Sequence, residues 1–183
     1  GINTAFNVIS AAGGPTEIGS VRRIKVIRGN QTIPLDVYQF MSDPGVAKDY
    51  FMQNNDYIHI PVAQKVVMIQ GAVTRPMSYE LLDNENLLQL VKYAGGAKAN
   101  AYLSSVQVTR YMNEKTMITN VNLKELADSG GDFILFNGDV VDIKSVEGVT
   151  QNSVGVEGAV VYPGKFERID EMRISDMLAQ SIL

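Results

Sequence analysis

The chain has no cysteine, no tryptophan and a single histidine among its 183 residues. Without cysteine there is no disulfide, no thiolate nucleophile and no cysteine-bound zinc. One histidine, His59, cannot build a multi-histidine zinc site, and no residues at a plausible spacing complete a Ser-His-Asp arrangement around it. It alternates with Ile58 and Ile60, so it is expected to be an ordinary strand residue facing away from them. A basic excess is also missing. Sixteen Lys and Arg stand against 20 Asp and Glu, a net charge of −4, which argues against a nucleic-acid partner. The apolar runs fall far short of the ~20 residues that cross a bilayer. No charged, then apolar, then cleavable leader opens the chain. The chain starts at a helix and stops within another, so it is expected to be a segment of a longer protein.

A repeat dominates what is present. Thr4 to Gly14 and Asn86 to Gly96 carry apolar residues in matching places, 82 residues apart. Positions 5, 6, 8, 9 and 12 correspond to 87, 88, 90, 91 and 94, the spacing of one face of an α-helix. The Gly13-Gly14 and Gly95-Gly96 pairs that follow are helix stops, because glycine takes the left-handed conformation without a Cβ clash. A phosphate-binding glycine loop would have to precede its helix, and these follow theirs. At the same offset, Ile24 to Arg28 matches Val106 to Arg110, alternating as half-buried strands do. Turns at Gly29-Asn30 and Asn113-Glu114 lead to second strands reaching Leu35-Asp36-Val37 and Val121-Asn122-Leu123. Asn30-Gln31-Thr32 matches a glycosylation acceptor pattern but fits a hairpin turn better. Each copy closes on a short apolar strand, after Asn55-Asp56 and after Gly138-Asp139.

A third element recurs 87 residues apart. Val67 to Pro76, with Gly71, resembles Val154 to Pro163, with Gly158. Both read as a strand, a turn at proline and a second strand. A helix is expected after each, started by Asp83 or Asn84 in one copy and Asp170 in the other. The order therefore predicts an α+β chain of tandem modules, built as small mixed sheets each crossed by one helix. Residues 1–62 form an incomplete first module lacking its opening hairpin. Residues 63–148 form a complete second module. Residues 149–183 start a third, with hairpin and helix.

This order resembles the ubiquitin-like β-grasp of the soluble-ligand-binding β-grasp (SLBB) family. The motifs that carry the resemblance are the hairpins Val67 to Pro76 and Val154 to Gly164, the helix ends Ala12-Gly13-Gly14 and Ala94-Gly95-Gly96, and the closing segments at Asp56 and Gly138-Asp139. Gly71, Pro76, Gly158, Pro163 and Gly164 belong to this structural signature. Two departures stand out. Met77 occupies a glycine position, so that turn differs in type, and Asn55 replaces a glycine, which asparagine tolerates. Several such modules in a row are similar to outer-membrane polysaccharide export (Wza-type) proteins. That similarity implies a periplasmic, outer-membrane-associated homo-oligomer whose modules stack into a ring. The ring would pass an exported capsule polysaccharide or exopolysaccharide and meet inner-membrane export and polymerisation machinery.

No nucleophile, base and orienting group are arranged for catalysis, so the chain is expected not to be an enzyme and to need no cofactor or metal. Asp56, Asp139 and Asp142 could suggest paired carboxylates, but an aspartate before a strand is a common turn residue, and its recurrence favours structure. Arg28 and Arg110 end equivalent strands and are weak candidates for contacting an acidic ligand. Tyr79, Tyr93, Tyr102 and Tyr111 could stack on sugar rings but are expected at core edges and module interfaces. Two alternatives remain: a module that binds a small soluble ligand or sugar, and an accessory domain of a larger enzyme complex. Finally, the hairpin near Val154–Gly164 is expected to dock on the incomplete first module of a neighbouring molecule, because an unpaired strand edge is a template for pairing.

Overall fold

The computed structural model describes residues 4–42, 51–146 and 152–182. The chain divides into two compact units, the first ending at Val146 and the second beginning at Glu147. The expected limit of the third module, at residues 148 and 149, lies outside the described residues.

The first unit holds two hydrophobic cores, one for each of the first two repeats. In the N-terminal part, Thr4 caps helix α1 (Ala5–Ala11), its hydroxyl accepting from the Asn7 amide. The helix buries Ala5 and Ile9 against Ile24, Val26 and Leu35. Those residues come from strands β1 (Ile24–Arg28) and β2 (Gln31–Leu35). Strand β3 (Tyr57–His59) completes an antiparallel sheet in the order β2-β1-β3. His59 is exposed there, and its neighbours Ile58 and Ile60 are half-buried.

The central part repeats this plan and adds a hairpin, β4 (Val66–Gly71) and β5 (Met77–Glu80). Helix α3 (Leu87–Tyr93) follows, then β6 (Val106–Met112), β7 (Lys115–Val121) and β8 (Val140–Ile143). The five strands lie in the order β5-β4-β8-β6-β7, with β4 and β8 parallel and the other pairs antiparallel. Leu87 and Leu90 of α3 pack onto Val67, Ile69, Val106, Val108, Val141 and Ile143 of the sheet to form the core. At the edge, β7 is exposed on both faces apart from Val121. Its lysine and flanking asparagine help keep that edge from pairing further.

The expected helix starts shift in two places. Asn86, not Asp83 or Asn84, caps α3, its side chain accepting from the Gln89 amide. Residues 82–85 form a turn closed by the Glu85 amide on the Leu82 carbonyl, which delays the helix. In the second unit, helix α5 spans Ile174–Ile182, four residues after Asp170, and the Arg173 amide donates to Asp176. Each repeat of the first unit also carries a second short helix: α2 (Val37–Ser42) and α4 (Leu123–Ser129). Asp36 and Asn122 start them by accepting backbone N–H groups. Each of these sheets is thus accompanied by two helices rather than one.

The second unit contains hairpin β9 (Ser153–Val156) and β10 (Gly164–Glu167), paired antiparallel. Its register repeats the central hairpin: Ser153 faces Glu167 as Val66 faces Glu80.

Several signature residues gain a physical reason. Gly71 has φ +85°, and a Cβ there would meet the Ile143 carbonyl oxygen at 2.2 Å. Only glycine lets β4 approach the end of β8 so closely. Asn55 has φ +68°, the left-handed conformation that Gly138 takes at +82° in the equivalent place. Gly13, Gly14, Gly95 and Gly96 all have positive φ at the ends of α1 and α3. The turn of the β4–β5 hairpin covers the second of these ends. Thr74 and Arg75 donate backbone N–H groups to the Gly96 and Ala94 carbonyls.

Candidate functional site at the module junction

The first and central repeats meet through polar groups that are buried together. The chain passes from α1 to β1 through a loop holding Ser20, Val21 and Arg22. Opposite it lies Glu80, at the end of β5 and almost fully buried. The Ser20 hydroxyl donates to one Glu80 carboxylate oxygen at 2.7 Å. The Val21 and Arg22 amides donate to the other, at 2.8 and 3.1 Å. A buried carboxylate with three donors is stabilised, whereas one without them would be strongly destabilising.

Arg22 completes the joint. Its Nε donates to both oxygens of Asp36, at 2.7 and 2.8 Å. Its two terminal nitrogens donate to the two oxygens of Glu85, each at 2.9 Å. One of them also reaches the Glu80 carbonyl. The guanidinium lies 4.5 Å from the ring centre of Tyr38 and 5.1 Å from that of Tyr93. The Arg22 side chain is only 4% exposed. Asp36 comes from the first repeat and Glu85 from the central one, so one planar cation ties both.

The electrostatics follow from these contacts. Burial pulls the Arg22 pKa down, but the hydrogen bonds and charges of Glu85 and Asp36 outweigh it and hold it above the ordinary value. Burial likewise pushes Glu85 up, yet hydrogen bonds from Arg22, the Tyr93 hydroxyl and the Leu82 amide hold it below the usual carboxylate range. Burial and the bond to Glu85 raise Tyr93. Burial raises Tyr38, whose hydroxyl accepts from the Glu80 amide. Tyr38 stands edge-on to both Tyr79 and Tyr93, with centroids 6.2 and 4.9 Å away.

Beside this joint lies a cleft of about 540 Å³, bordered by α2 on one side and by α3 and the β4–β5 hairpin on the other. Tyr38, Tyr79 and Tyr93 belong to its walls. Of the four tyrosines expected at edges and interfaces, Tyr79 and Tyr93 are here. Tyr102 and Tyr111 are exposed.

The arginines expected as weak ligand contacts are elsewhere, in equivalent pairs. Arg28 binds Asp56 with Nε and one terminal nitrogen, the shortest contact being 2.7 Å. Arg110 does the same with Asp139, at 2.9 and 2.7 Å. Each aspartate also accepts the amide three residues earlier, Gln53 and Phe136 respectively. The arginines therefore clamp the turn before each closing strand. No group of three or more His, Cys, Asp or Glu among the described residues could hold a metal ion.

The order of hairpin, helix and hairpin in the central repeat is matched by a known family model, that of the SLBB domain, over residues 66–120. The central repeat carries an SLBB domain. Its matched span begins at the first residue of β4 and ends one residue before the end of β7. Both junction carboxylates, Glu80 and Glu85, lie within the SLBB domain, while Ser20 and Arg22 lie outside it. No curated protein matches the chain.

Sequence reasoning missed Arg22, Glu80 and Glu85. A signal existed for Arg22. At the 82-residue offset it corresponds to Ser104, so the copies diverge where the first must bind its neighbour.

Proposed function

We propose that this chain is a non-enzymatic scaffold region of a capsule or exopolysaccharide export channel. In this role it lies in the periplasm as part of an outer-membrane-associated homo-oligomer. Its modules set the geometry of a ring, and the exported polymer passes through while inner-membrane machinery supplies it. The observation that carries this reading is the buried Arg22 joint. A ring wall needs modules held at fixed spacing, and loosely linked binding modules do not need a shared buried cation. The SLBB domain, together with a repeat of the same plan beside it, supports the same view through the similarity to Wza-type proteins.

The experiment is genetic and structural together. In cells making the intact protein, Arg22→Ala is expected to reduce surface polysaccharide while leaving the protein present in the envelope. Particles of the intact protein imaged by electron microscopy are expected to be rings. Normal surface polysaccharide in cells lacking the protein altogether would overturn the proposal, as would intact particles that are strictly monomeric.

A further inference from the structure

The cleft beside the Arg22 joint departs from the rest of the chain in charge. The chain as a whole is acidic, at −4. The cleft has three cationic side chains, Arg22, Arg75 and Lys92, and one carboxylate, Asp36. Arg22 is already paired with both Asp36 and Glu85, so it adds no free positive charge to the cleft. Arg75 gives one N–H to the Tyr93 carbonyl and meets no carboxylate among the described residues. The Lys92 side chain makes no hydrogen bond or ion pair among them, its backbone carbonyl accepting from the Gly95 amide. Both side chains are exposed, and they come from different elements, the β4–β5 turn and the last turn of α3. Capping α3 explains the Tyr93 contact of Arg75. It does not explain why two uncompensated cations border the same concavity.

The remaining walls have a second chemistry. Tyr38 and Tyr93 supply aromatic surface, and Gln39 and Gln89 supply amides that both donate and accept. At about 540 Å³ the cleft lies within the ~300–1,000 Å³ typical of small-ligand sites. Tyrosines beside hydrogen-bonding amides suit a ring with an apolar face and hydroxylated edges. The planar fork of Arg75 and the compact charge of Lys92 suit a carboxylate on that ring.

We infer that this cleft is a binding site for a carboxylate-bearing sugar ring. The carboxylate sits between Lys92 and Arg75, and the ring lies against Tyr38 and Tyr93. The inference rests on the cleft's own chemistry and holds whether or not the protein takes part in polymer export. Binding is measured in the test tube and export in cells, so failure of one is distinguishable from failure of the other.

The test is a titration of the full chain with D-glucuronate, followed by amide NMR shifts, with D-glucose and inorganic phosphate as controls. The expected result is saturable shifts of Gln89, Lys92 and Tyr93 with glucuronate, and at least tenfold weaker binding of glucose and of phosphate. Lys92→Glu is expected to weaken glucuronate at least tenfold without changing the melting temperature. Lys92→Gln, which removes only the charge, is expected to weaken it less and serves if the first variant fails to fold. Absence of saturable shifts with glucuronate overturns the site. Phosphate binding as tightly as glucuronate reduces it to a general anion contact and overturns the sugar assignment. Unchanged binding in both Lys92 variants overturns the role given to Lys92 and the placement with it.

Discussion

Arg22 and Glu85, 63 residues apart in sequence, meet through two parallel N–H···O contacts of 2.9 Å each. The pair joins two repeats that each have a hydrophobic core of their own. Removing the cation leaves Asp36 and Glu85 half-buried without their counter-charge. Arg22→Ala is therefore expected to lower stability by about 3–5 kcal/mol, the usual loss when one partner of a buried pair is deleted. It should also split unfolding in urea, with the first repeat melting before the central one. A single transition with the wild-type midpoint would contradict the joint.

The same pair predicts a pH dependence. Burial raises the Glu85 pKa, but hydrogen bonds from Arg22, Tyr93 and Leu82 overcome it, and the folded value lies below the unfolded one. The stability it contributes is therefore fully present above the unfolded carboxylate pKa and is lost as pH falls through the folded value. Wild type and Glu85→Gln should differ most near neutrality and converge on acidification below about pH 4, since a model glutamate titrates near 4.3. Melting temperatures across that window check it. A difference constant with pH would mean that Glu85 acts through shape rather than charge.

The repeat was legible because both copies need the same local chemistry. Helix faces, glycine stops and the aspartate before each closing strand must recur wherever the same turn is built. The second helices were missed because Asp36 and Asn122 sit at the ends of apolar, alternating strands, and short caps give no long periodicity. Asn122-Leu123-Lys124-Glu125 has the spacing of a capping box, and the Asn122 side chain accepts from the Glu125 backbone N–H at 3.2 Å while its Nδ2 donates to the Glu125 carboxylate at 3.4 Å. The junction was illegible for a different reason. Ser20, Arg22, Asp36, Glu80 and Glu85 come together only after two modules have folded, and no spacing in one module encodes the surface of the next. The two candidate arginines were visible as a recurring pair, but their aspartate partners lie 28 and 29 residues downstream.

Two glycines with nearly equal backbone angles should respond differently to alanine. Gly96 has φ +84° with nothing within 4 Å of an added Cβ, and Gly71 has φ +85° with the Ile143 oxygen at 2.2 Å. Gly96→Ala should cost about 1–2 kcal/mol, the left-handed penalty alone. Gly71→Ala adds a clash with backbone that is itself hydrogen-bonded to the Ala72 amide. Its loss should reach about 3 kcal/mol or more. Equal midpoints in urea would show that the end of β8 yields freely.

The Arg110 and Asp139 pair distinguishes a structural clamp from a ligand contact. The Asp139 side chain is 1% exposed and that of Arg110 is 22% exposed. The carboxylate accepts from two Arg110 nitrogens and from the Phe136 amide, while the guanidinium lies 4.1 Å from the Phe136 ring centre and donates to the Ile134 carbonyl. The turn from Ile134 to Asp139 is thus held from both ends before β8 begins. Deleting either partner in the absence of any ligand should cost about 1.5–3 kcal/mol, the range for hydrogen bonds to charged groups. The double variant should lose less than the sum, with a coupling of about 1–3 kcal/mol. Urea unfolding of Arg110→Ala, Asp139→Ala and the double variant measures that coupling. A value near zero, with both single variants as stable as wild type, would free Arg110 from the clamp and return it to the surface as a ligand contact.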